Sequence, residues 1–535
     1  MIKNLLSIFV SSRNRKKDIV PKVEKPFNRY MYTLLSTVGR IALTLITSII
    51  IPKAIGPRSM GIIAFGQTIV TTIRGLFDFN IGSTFFNLSV AKHQSGGLTR
   101  LFARIIFIQI LLTVLILGIL CVTKSGNNII QSTPFSVLIF LLGIEWAVYL
   151  TSLANQLGDS KGISKWPQIL ILIFNLILTV VIVGLAMMKS LTVYTFLSTT
   201  FVFNFLSFLS VIVFLYQTNY DAIWLKVDKE NLKYLLKTTL KVSIPLTIAS
   251  YYGMGIEFFE RFLIQYKYGP EEQSYYYIAA KWAAIIIVLS SSSVQIFWQS
   301  LVKNIAEGDI KKAGEIYLRL DGLLFYFILC LALTWSFLGK EMLALLLGKD
   351  FANAGSILMV MAFYPVSQVF GQMGTTVAVA SGRSRQFMFV SIITATVGLI
   401  VSYFLLVPRS SFIPGLELGS FGLAIKTAIY GLIAVQPITY LNCRYLSISY
   451  PKMIFQKIKV FLILFSILYL LSTIGNLLLP YVALVIVSMV KATIFVIVAV
   501  MLLFKKPAFC GVSESDLDRI KDNSLFKRVE NLYQR

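Results

Sequence analysis

The chain has very few residues that bind metals or form disulfides. Its 535 residues include one histidine, His93, and four widely separated cysteines, Cys121, Cys330, Cys443 and Cys510. This set provides neither a metal-binding cluster nor a disulfide framework, and the cysteines are expected to be packing residues. The sequence also has no Gly-x4-Gly-Lys-Ser/Thr phosphate loop, which argues against direct ATP hydrolysis. A metalloenzyme, a histidine-dependent membrane acyltransferase and an ATPase are therefore all disfavoured.

Acidic residues are also scarce. The chain has 24 Asp and Glu against 49 Lys and Arg, a formal net charge of +25. The basic residues occur in short clusters between apolar runs, whereas a nucleic-acid-binding module would carry them on one soluble domain. Hydrophobic residues make up 56% of the chain and charged residues only 14%, which is typical of a polytopic membrane protein.

Fourteen apolar runs are long enough to cross a bilayer, because a membrane-spanning helix needs about 20 mostly apolar residues. We therefore predict an all-α polytopic membrane protein with about 14 transmembrane helices: two six-helix lobes plus two C-terminal helices. The predicted spans are approximately 29–51, 60–87, 101–123, 134–157, 167–188, 191–216, 239–267, 274–302, 319–338, 353–380, 386–407, 418–441, 455–476 and 479–504.

The basic residues alternate between the two sides of the predicted membrane. With the amino terminus inside, most of the 49 Lys and Arg fall in cytoplasmic segments. Cytoplasmic loops retain positive charge during insertion, so both termini are predicted to be cytoplasmic. The predicted divisions are a basic N-terminal segment 1–28, an N-lobe 29–216, an amphipathic cytoplasmic linker 217–238, a C-lobe 239–441, two further spans within 442–504 and a cytoplasmic tail 505–535.

Two glycine–proline corners occur at corresponding places in the two halves. Gly56-Pro57 and Gly269-Pro270 each close one long apolar segment and open the next. Proline ends a helix, and glycine permits the chain to reverse. We interpret the chain as two homologous halves arranged as in a transporter, with these four residues and Gly61 as hinge or corner residues.

Eight ionisable residues near or within the predicted spans are the candidates for substrate binding. A charge in a membrane is costly and usually faces the bundle interior or a watery cavity. Basic groups in both halves suit an anionic substrate such as a phosphate-linked head group, since Arg binds phosphate bidentately and Lys acts as a point charge. The candidates are Arg40, Arg74, Asp78, Glu257, Glu260, Arg261, Lys281 and Lys426.

These charges also have structural interpretations. Arg74 and Asp78 are four residues apart and can form a pair on one helix face. Glu257 and Arg261 have the same spacing, which fits either a fixed salt bridge or a carboxylate that exchanges partners or a proton as the helix moves. Lys426 can extend its amine to the membrane interface.

Three stretches, Gly39–Gly61, Phe259–Pro270 and Leu346–Arg383, resemble the polysaccharide flippases of the multidrug/oligosaccharidyl-lipid/polysaccharide exporter superfamily. The resemblance extends over about residues 28–504. It implies two six-helix lobes around a central cavity, lined largely by the first, second, seventh and eighth spans, with alternating access. It also implies translocation of an undecaprenyl-diphosphate-linked oligosaccharide to the outer leaflet for O-antigen, capsule or exopolysaccharide assembly.

The same resemblance implies a location and partners. We expect a multi-pass protein of the bacterial plasma (inner) membrane that contacts membrane lipids, the lipid-linked oligosaccharide, and the polysaccharide polymerase and chain-length machinery. No cofactor and no nucleic-acid partner are expected. Coupling to a proton gradient, a sodium gradient or the membrane potential stays open.

Other functions stay open from the sequence. A drug or cation antiporter of the same superfamily is expected to favour acidic groups in its cavity. A flippase for a peptidoglycan or teichoic-type lipid intermediate would share the anionic head group. A membrane glycosyltransferase or polymerase is disfavoured because no predicted external loop is longer than about a dozen residues, and a scaffold that transports nothing would tolerate loss of the buried charges.

Overall fold

A computed structural model describes most of the chain. Parts of the sequence interpretation lie outside its described residues: the N-terminal segment up to residue 25, His93, Cys510, residues 218–228 of the linker and nearly all of the tail. The described residues are 26–79, 96–130, 133–160, 163, 165–217, 229–478 and 484–505.

Among the described residues, six helices lie between Pro26 and Gln217. The first, α1, combines the first predicted span with most of the second, because the helix continues on both sides of a kink at Gly56. The helices are α1 (Pro26–Leu76), α2 (Gly96–Val122), α3 (Lys124–Ile130), α4 (Phe135–Ser160), α5 (Lys165–Met187) and α6 (Val193–Gln217).

Among the described residues that follow the first six helices there are eleven more, and the first of them begins at Lys229, inside the predicted linker 217–238. A 3-10 turn at Lys349–Phe351 precedes α10, and a π-helical turn at Lys426–Tyr430 joins α13 to α14. The helices are α7 (Lys229–Tyr268), α8 (Pro270–Ala306), α9 (Ile310–Leu347), α10 (Ala352–Met361), α11 (Tyr364–Ala380), α12 (Ser384–Leu406), α13 (Gly419–Ile425), α14 (Gly431–Ala434), α15 (Gln436–Tyr445), α16 (Tyr450–Leu478) and α17 (Leu484–Lys505).

These helices confirm the predicted all-α membrane fold. Within the described ranges nine helices are long and apolar enough to cross a membrane, or ten if Lys349–Met361 and Tyr364–Ala380, bent by 43°, form one broken span. Every predicted span overlaps a helix, and the described ranges contain no β-strand. Large apolar side chains such as Phe107, Val180 and Phe455 are exposed on these helices, as expected for surfaces that face lipid. The chain is a multi-pass membrane protein.

The chain divides into two compact units. The first comprises Met1–Ala54 and Gly66–Ile244, and the second comprises Ile55–Phe65 and Pro245–Arg535. The lobe, linker and tail boundaries predicted from the sequence stay predictions.

Each unit has its own apolar core. In the first unit Val211 of α6 is fully buried and packs with residues of α2, α4 and α5. In the second unit Tyr317 and Leu324 of α9 pack with α8 and α11. A separate cluster around Leu333 and Phe495 joins α9 to the appended helices α16 and α17.

The glycine–proline corners share one backbone conformation. Gly56 has φ 78° and ψ 168°, and Gly269 has φ 85° and ψ 179°. Gly348, which ends α9, has φ 89° and ψ −178°. Only glycine adopts this region readily, so each corner breaks the helix without a cis peptide. Pro57 and Pro270 then begin the next helical segment.

Gly61 positions the first corner against the second. A Cβ atom added to Gly61 would lie 1.7 Å from the carbonyl oxygen of Pro270. The two backbones therefore approach more closely than any side chain at residue 61 would allow. Both residues belong to the second unit, which includes Ile55–Phe65.

Candidate functional site

A cavity of about 360 Å³ lies inside the second unit. Helices α7, α8, α11 and α12, the end of α10 and the π-helical turn surround it. Its walls combine small residues, such as Gly253 and Ala280, with charged and polar side chains. The charged and polar lining residues are Glu257, Glu260, Arg261, Tyr276, Tyr364, Gln368, Lys426 and Thr427.

The first ion pair of this cavity is short and enclosed. The Nζ atom of Lys426 lies 2.5 Å from Oε1 of Glu260, and the two side chains are 18% and 5% exposed. The hydroxyl of Ser402 donates a second hydrogen bond to the same carboxylate oxygen, at 2.5 Å. A buried carboxylate needs such charged and polar partners to be stable. The negative charge of Glu260 is therefore compensated within the protein.

The π-helical turn positions Lys426 for this pair. Lys426 is its first residue, and π-turns occur frequently at functional sites. Gly398 of α12 lies opposite: a Cβ atom there would be 3.4 Å from Cε of Lys426 and 2.8 Å from Cε1 of Tyr430. The absent side chain leaves room for both residues to pass α12.

The second ion pair is loose. Nη2 of Arg261 lies 3.9 Å from Oε1 of Glu257, beyond hydrogen-bond distance, and the two side chains are 12% and 67% exposed. The Nη1 atom of Arg261 is buried without a hydrogen-bond partner among the described residues. Buried donors in proteins are nearly always satisfied, so this guanidinium retains unused hydrogen-bonding capacity at the cavity wall.

Tyr276 orients that guanidinium. The central carbon of the Arg261 guanidinium lies 3.9 Å from the centroid of the Tyr276 ring. Tyr276 is 3% exposed, and its hydroxyl shares a 2.9 Å hydrogen bond with the hydroxyl of Thr427. A cation stacked on a buried, anchored ring loses little additional freedom when it binds a ligand.

The structure brings together four of the eight predicted site residues, Glu257, Glu260, Arg261 and Lys426, around this cavity. Lys281 does not line it: its Nζ atom lies 5.7 Å from the centroid of the Tyr277 ring.

Sequence reasoning did not identify several polar residues at the same cavity. Tyr364, Gln368 and Thr427 line it, and Ser402 contacts Glu260. A single hydroxyl or amide in a long apolar helix gives no distinguishing sequence signal, because such residues often bond only to their own helix backbone.

Arg74 and Asp78 lie in the first unit, in a network of their own. Nε of Arg74 is 2.8 Å from Oε1 of Glu145, and Nη1 is 3.6 Å from Oδ2 of Asp78. Tyr149 donates a 2.9 Å hydrogen bond to Asp78, and its ring lies 4.5 Å from the Arg74 guanidinium carbon. The predicted pair exists, and Glu145 and Tyr149, which the sequence interpretation did not include, complete it.

Arg40, also in the first unit, has a sparser environment. Its Nη2 atom donates a 3.3 Å hydrogen bond to the hydroxyl of Thr37, one turn earlier on α1. The side chain is partly buried.

A third ion pair of the second unit lies away from the cavity. Nζ of Lys457 is 2.8 Å from Oδ1 of Asp321, and the side chains are 14% and 2% exposed. The same amine lies 3.8 Å from the centroid of the Phe370 ring. The sequence interpretation did not single out Lys457. The structure places it within α16, where it joins an appended helix to α9.

Solved structures with a similar fold are transporters. A lipid II flippase, MurJ, in an inward closed conformation is 14% identical, with a TM-score of 0.60, and the match covers 90% of this chain and 99% of that one. An outward-facing multidrug resistance transporter of the MATE family of the MOP superfamily is 15% identical, with a TM-score of 0.51, and the match covers 78% and 94%. No protein-family model matches the chain, and no curated protein matches it by sequence. The chain therefore has the fold that these transporters share.

Proposed function

We propose that this protein is a transporter that moves an undecaprenyl-diphosphate-linked oligosaccharide from the cytoplasmic to the outer leaflet by alternating access. The observation that carries the proposal is the whole-length structural similarity to a lipid II flippase. That match covers 12% more of this 535-residue chain than the match to the multidrug transporter, or about 64 residues.

The charged cavity in the second unit supports an anionic substrate. The Glu260–Lys426 pair is internally compensated, whereas Arg261 retains an unpartnered donor. A guanidinium binds phosphate oxygens through parallel hydrogen bonds. Such a group replaces part of the water that a diphosphate loses when it leaves the aqueous phase, which is the main energetic barrier to moving a head group through a membrane.

The proposed topology follows from the sequence. Both termini face the cytoplasm, the protein lies in the bacterial plasma membrane, and the sugar polymerase and chain-length machinery act on the translocated product. The energy source is a proton gradient, a sodium gradient or the membrane potential.

Leaflet-resolved labelling of the lipid-linked oligosaccharide tests this proposal. Cells with and without the gene are compared for the intermediate on each leaflet and for surface polysaccharide. The proposal requires accumulation on the cytoplasmic side, loss of surface polymer and unchanged drug sensitivity. Normal polymer with altered drug sensitivity would instead identify a drug antiporter.

A peptidoglycan precursor is the second candidate substrate. Here the structural similarity to a lipid II flippase is the specific observation. The two candidates share the lipid diphosphate and differ in the attached group. Depletion that causes lysis and inner-leaflet accumulation of lipid II, with surface polysaccharide unaffected, would select this candidate over the first.

A further inference from the structure

The cavity of the second unit contains two acid–base pairs of very different quality. Glu260 and Lys426 are 2.5 Å apart, enclosed, and supported by Ser402. Arg261 and Glu257 are 3.9 Å apart, and Glu257 is 67% exposed. Both pairs join a carboxylate of α7 to a cation at the same cavity wall, so the difference lies in packing and partners.

The enclosed pair is unsuited to ligand exchange. Removal of either partner from a buried pair leaves an uncompensated charge, which is strongly unfavourable. The loose pair differs in this respect, because the Glu257 side chain is 67% exposed and packing does not hold its carboxylate at Arg261. Arg261 would then present a free Nη2 edge beside the already unpartnered Nη1 atom.

We propose that Arg261 is an exchangeable oxyanion-binding residue and that Glu257 is its resident anion, displaced when a phosphate-class group enters the cavity. The inference deepens the proposed function and rests on it only for the source of the phosphate, which is a lipid head group or free phosphate. Nη2 of the guanidinium donates to a ligand oxygen in place of the Glu257 carboxylate, and rotation of the guanidinium toward the cavity lets the buried Nη1 atom donate to a second oxygen, in the bidentate arrangement typical of Arg and phosphate.

Charge balance explains why displacement is required. The four charged side chains of the cavity, Glu257, Glu260, Arg261 and Lys426, sum to zero. An added anion beside Glu257 would meet like-charge repulsion, whereas an anion that replaces Glu257 at Arg261 keeps the local balance. The cavity of about 360 Å³ has room for such a ligand, since ligand sites of this kind begin at about 300 Å³.

Tyr276 makes Arg261 a prepared binding group. The ring supports the guanidinium face at 3.9 Å, which leaves the edge of the guanidinium, and not this face, for hydrogen bonds. A ligand therefore binds in the plane of the guanidinium and does not compete with the ring for the cation.

The test measures binding to the full-length purified protein. Inorganic pyrophosphate and farnesyl diphosphate are the probes, with potassium chloride at matched ionic strength as the salt control, and isothermal titration calorimetry gives the dissociation constants. Arg261→Gln should weaken both probes at least tenfold, because hydrogen bonds to charged groups are worth about 1.5–3 kcal/mol. Glu257→Gln should strengthen both about two- to fivefold, the range of an exposed pair of about 0.5–1 kcal/mol.

A matched control is available in the same chain. Glu307 forms an i,i+4 pair with Lys303 on α8 at 3.7 Å, and both side chains are exposed. Glu307→Gln removes the same charge as Glu257→Gln from a comparable pair outside the cavity, so its dissociation constants should match those of the wild type.

Each outcome decides the inference. The inference is overturned if Arg261→Gln binds the probes as the wild type does, or if Glu257→Gln binds them equally or more weakly. If Arg261→Gln does not fold, the Glu257→Gln result alone decides. If pyrophosphate binds and farnesyl diphosphate does not displace it, the result supports the site with free phosphate as its ligand. The leaflet-resolved labelling assay is independent of these binding measurements. If it shows no effect of the gene, while Arg261→Gln weakens and Glu257→Gln strengthens probe binding, the lipid substrate is rejected and the anion site is retained.

Discussion

The buried ion pair between Asp321 and Lys457 allows a quantitative prediction about the appended helices. At 2.8 Å the attraction is about 6 kcal/mol for an effective dielectric of 20, although desolvation offsets much of it. Removal of one partner leaves the other uncompensated and should lower the free energy of unfolding by about 3–5 kcal/mol.

The two single substitutions should not be equal. Lys457→Met leaves a carboxylate that is 2% exposed without its cation, and it also removes the amine that lies 3.8 Å from the Phe370 ring. Asp321→Asn leaves a lysine that is 14% exposed and keeps its ring contact. Lys457→Met is therefore expected to be the more destabilising, and the double variant Asp321→Asn/Lys457→Met should recover most of the loss.

Unfolding by SDS titration in mixed micelles, followed by tryptophan fluorescence, measures these differences. Glu307→Gln, at the exposed Lys303 pair, is the control and should change the free energy of unfolding by less than about 0.5 kcal/mol. Single variants within that range of the wild type would refute the reasoning. A double variant whose loss equals the sum of the single losses would show that the two residues do not interact.

Three further predictions concern the corners and the cavity, each measured as thermal stability of the purified protein. Gly269→Ala should lower the free energy of unfolding by about 1–3 kcal/mol through backbone strain alone, since no atom lies within 4 Å of the added Cβ. The control Gly253→Ala, in an open helical position of α7, should be neutral or stabilising. Equal effects of the two substitutions on stability would contradict the argument. Gly61→Ala should cost more than Gly269→Ala, because its Cβ would meet a backbone oxygen at 1.7 Å; an equal or smaller cost would mean that the two corners are not in contact. Ser402→Ala removes one hydrogen-bond donor from the buried Glu260 carboxylate and should lower the free energy of unfolding by about 1.5–3 kcal/mol. An unchanged thermal unfolding midpoint would show that this hydrogen bond contributes nothing to stability.

The helical segments were predictable because membrane insertion imposes a strong local rule. Each span needs about 20 apolar residues, and every predicted span overlaps an observed helix. The corners were predictable for a second local reason: Gly56 and Gly269 each precede a proline, and both adopt a conformation restricted to glycine.

The pairing of charges was only partly predictable. The i,i+4 spacing of Arg74 with Asp78 and of Glu257 with Arg261 is visible in the sequence, and both contacts are present in the structure. Their quality is not visible, because it depends on residues from other helices. Glu145 lies 71 positions from Arg74 and converts a simple pair into a network.

The sequence by itself determined the membrane-spanning helical class, the places where the chain turns, and the small set of ionisable residues available to a site. These properties depend on hydropathy and on local backbone preference. Only the tertiary structure decided which charges are compensated: Lys426 with Glu260 across 166 positions, Lys457 with Asp321, and Arg261 only loosely with Glu257. The reason is physical, since the availability of a charge for binding depends on distance, burial and neighbouring donors, which arise when distant helices pack together.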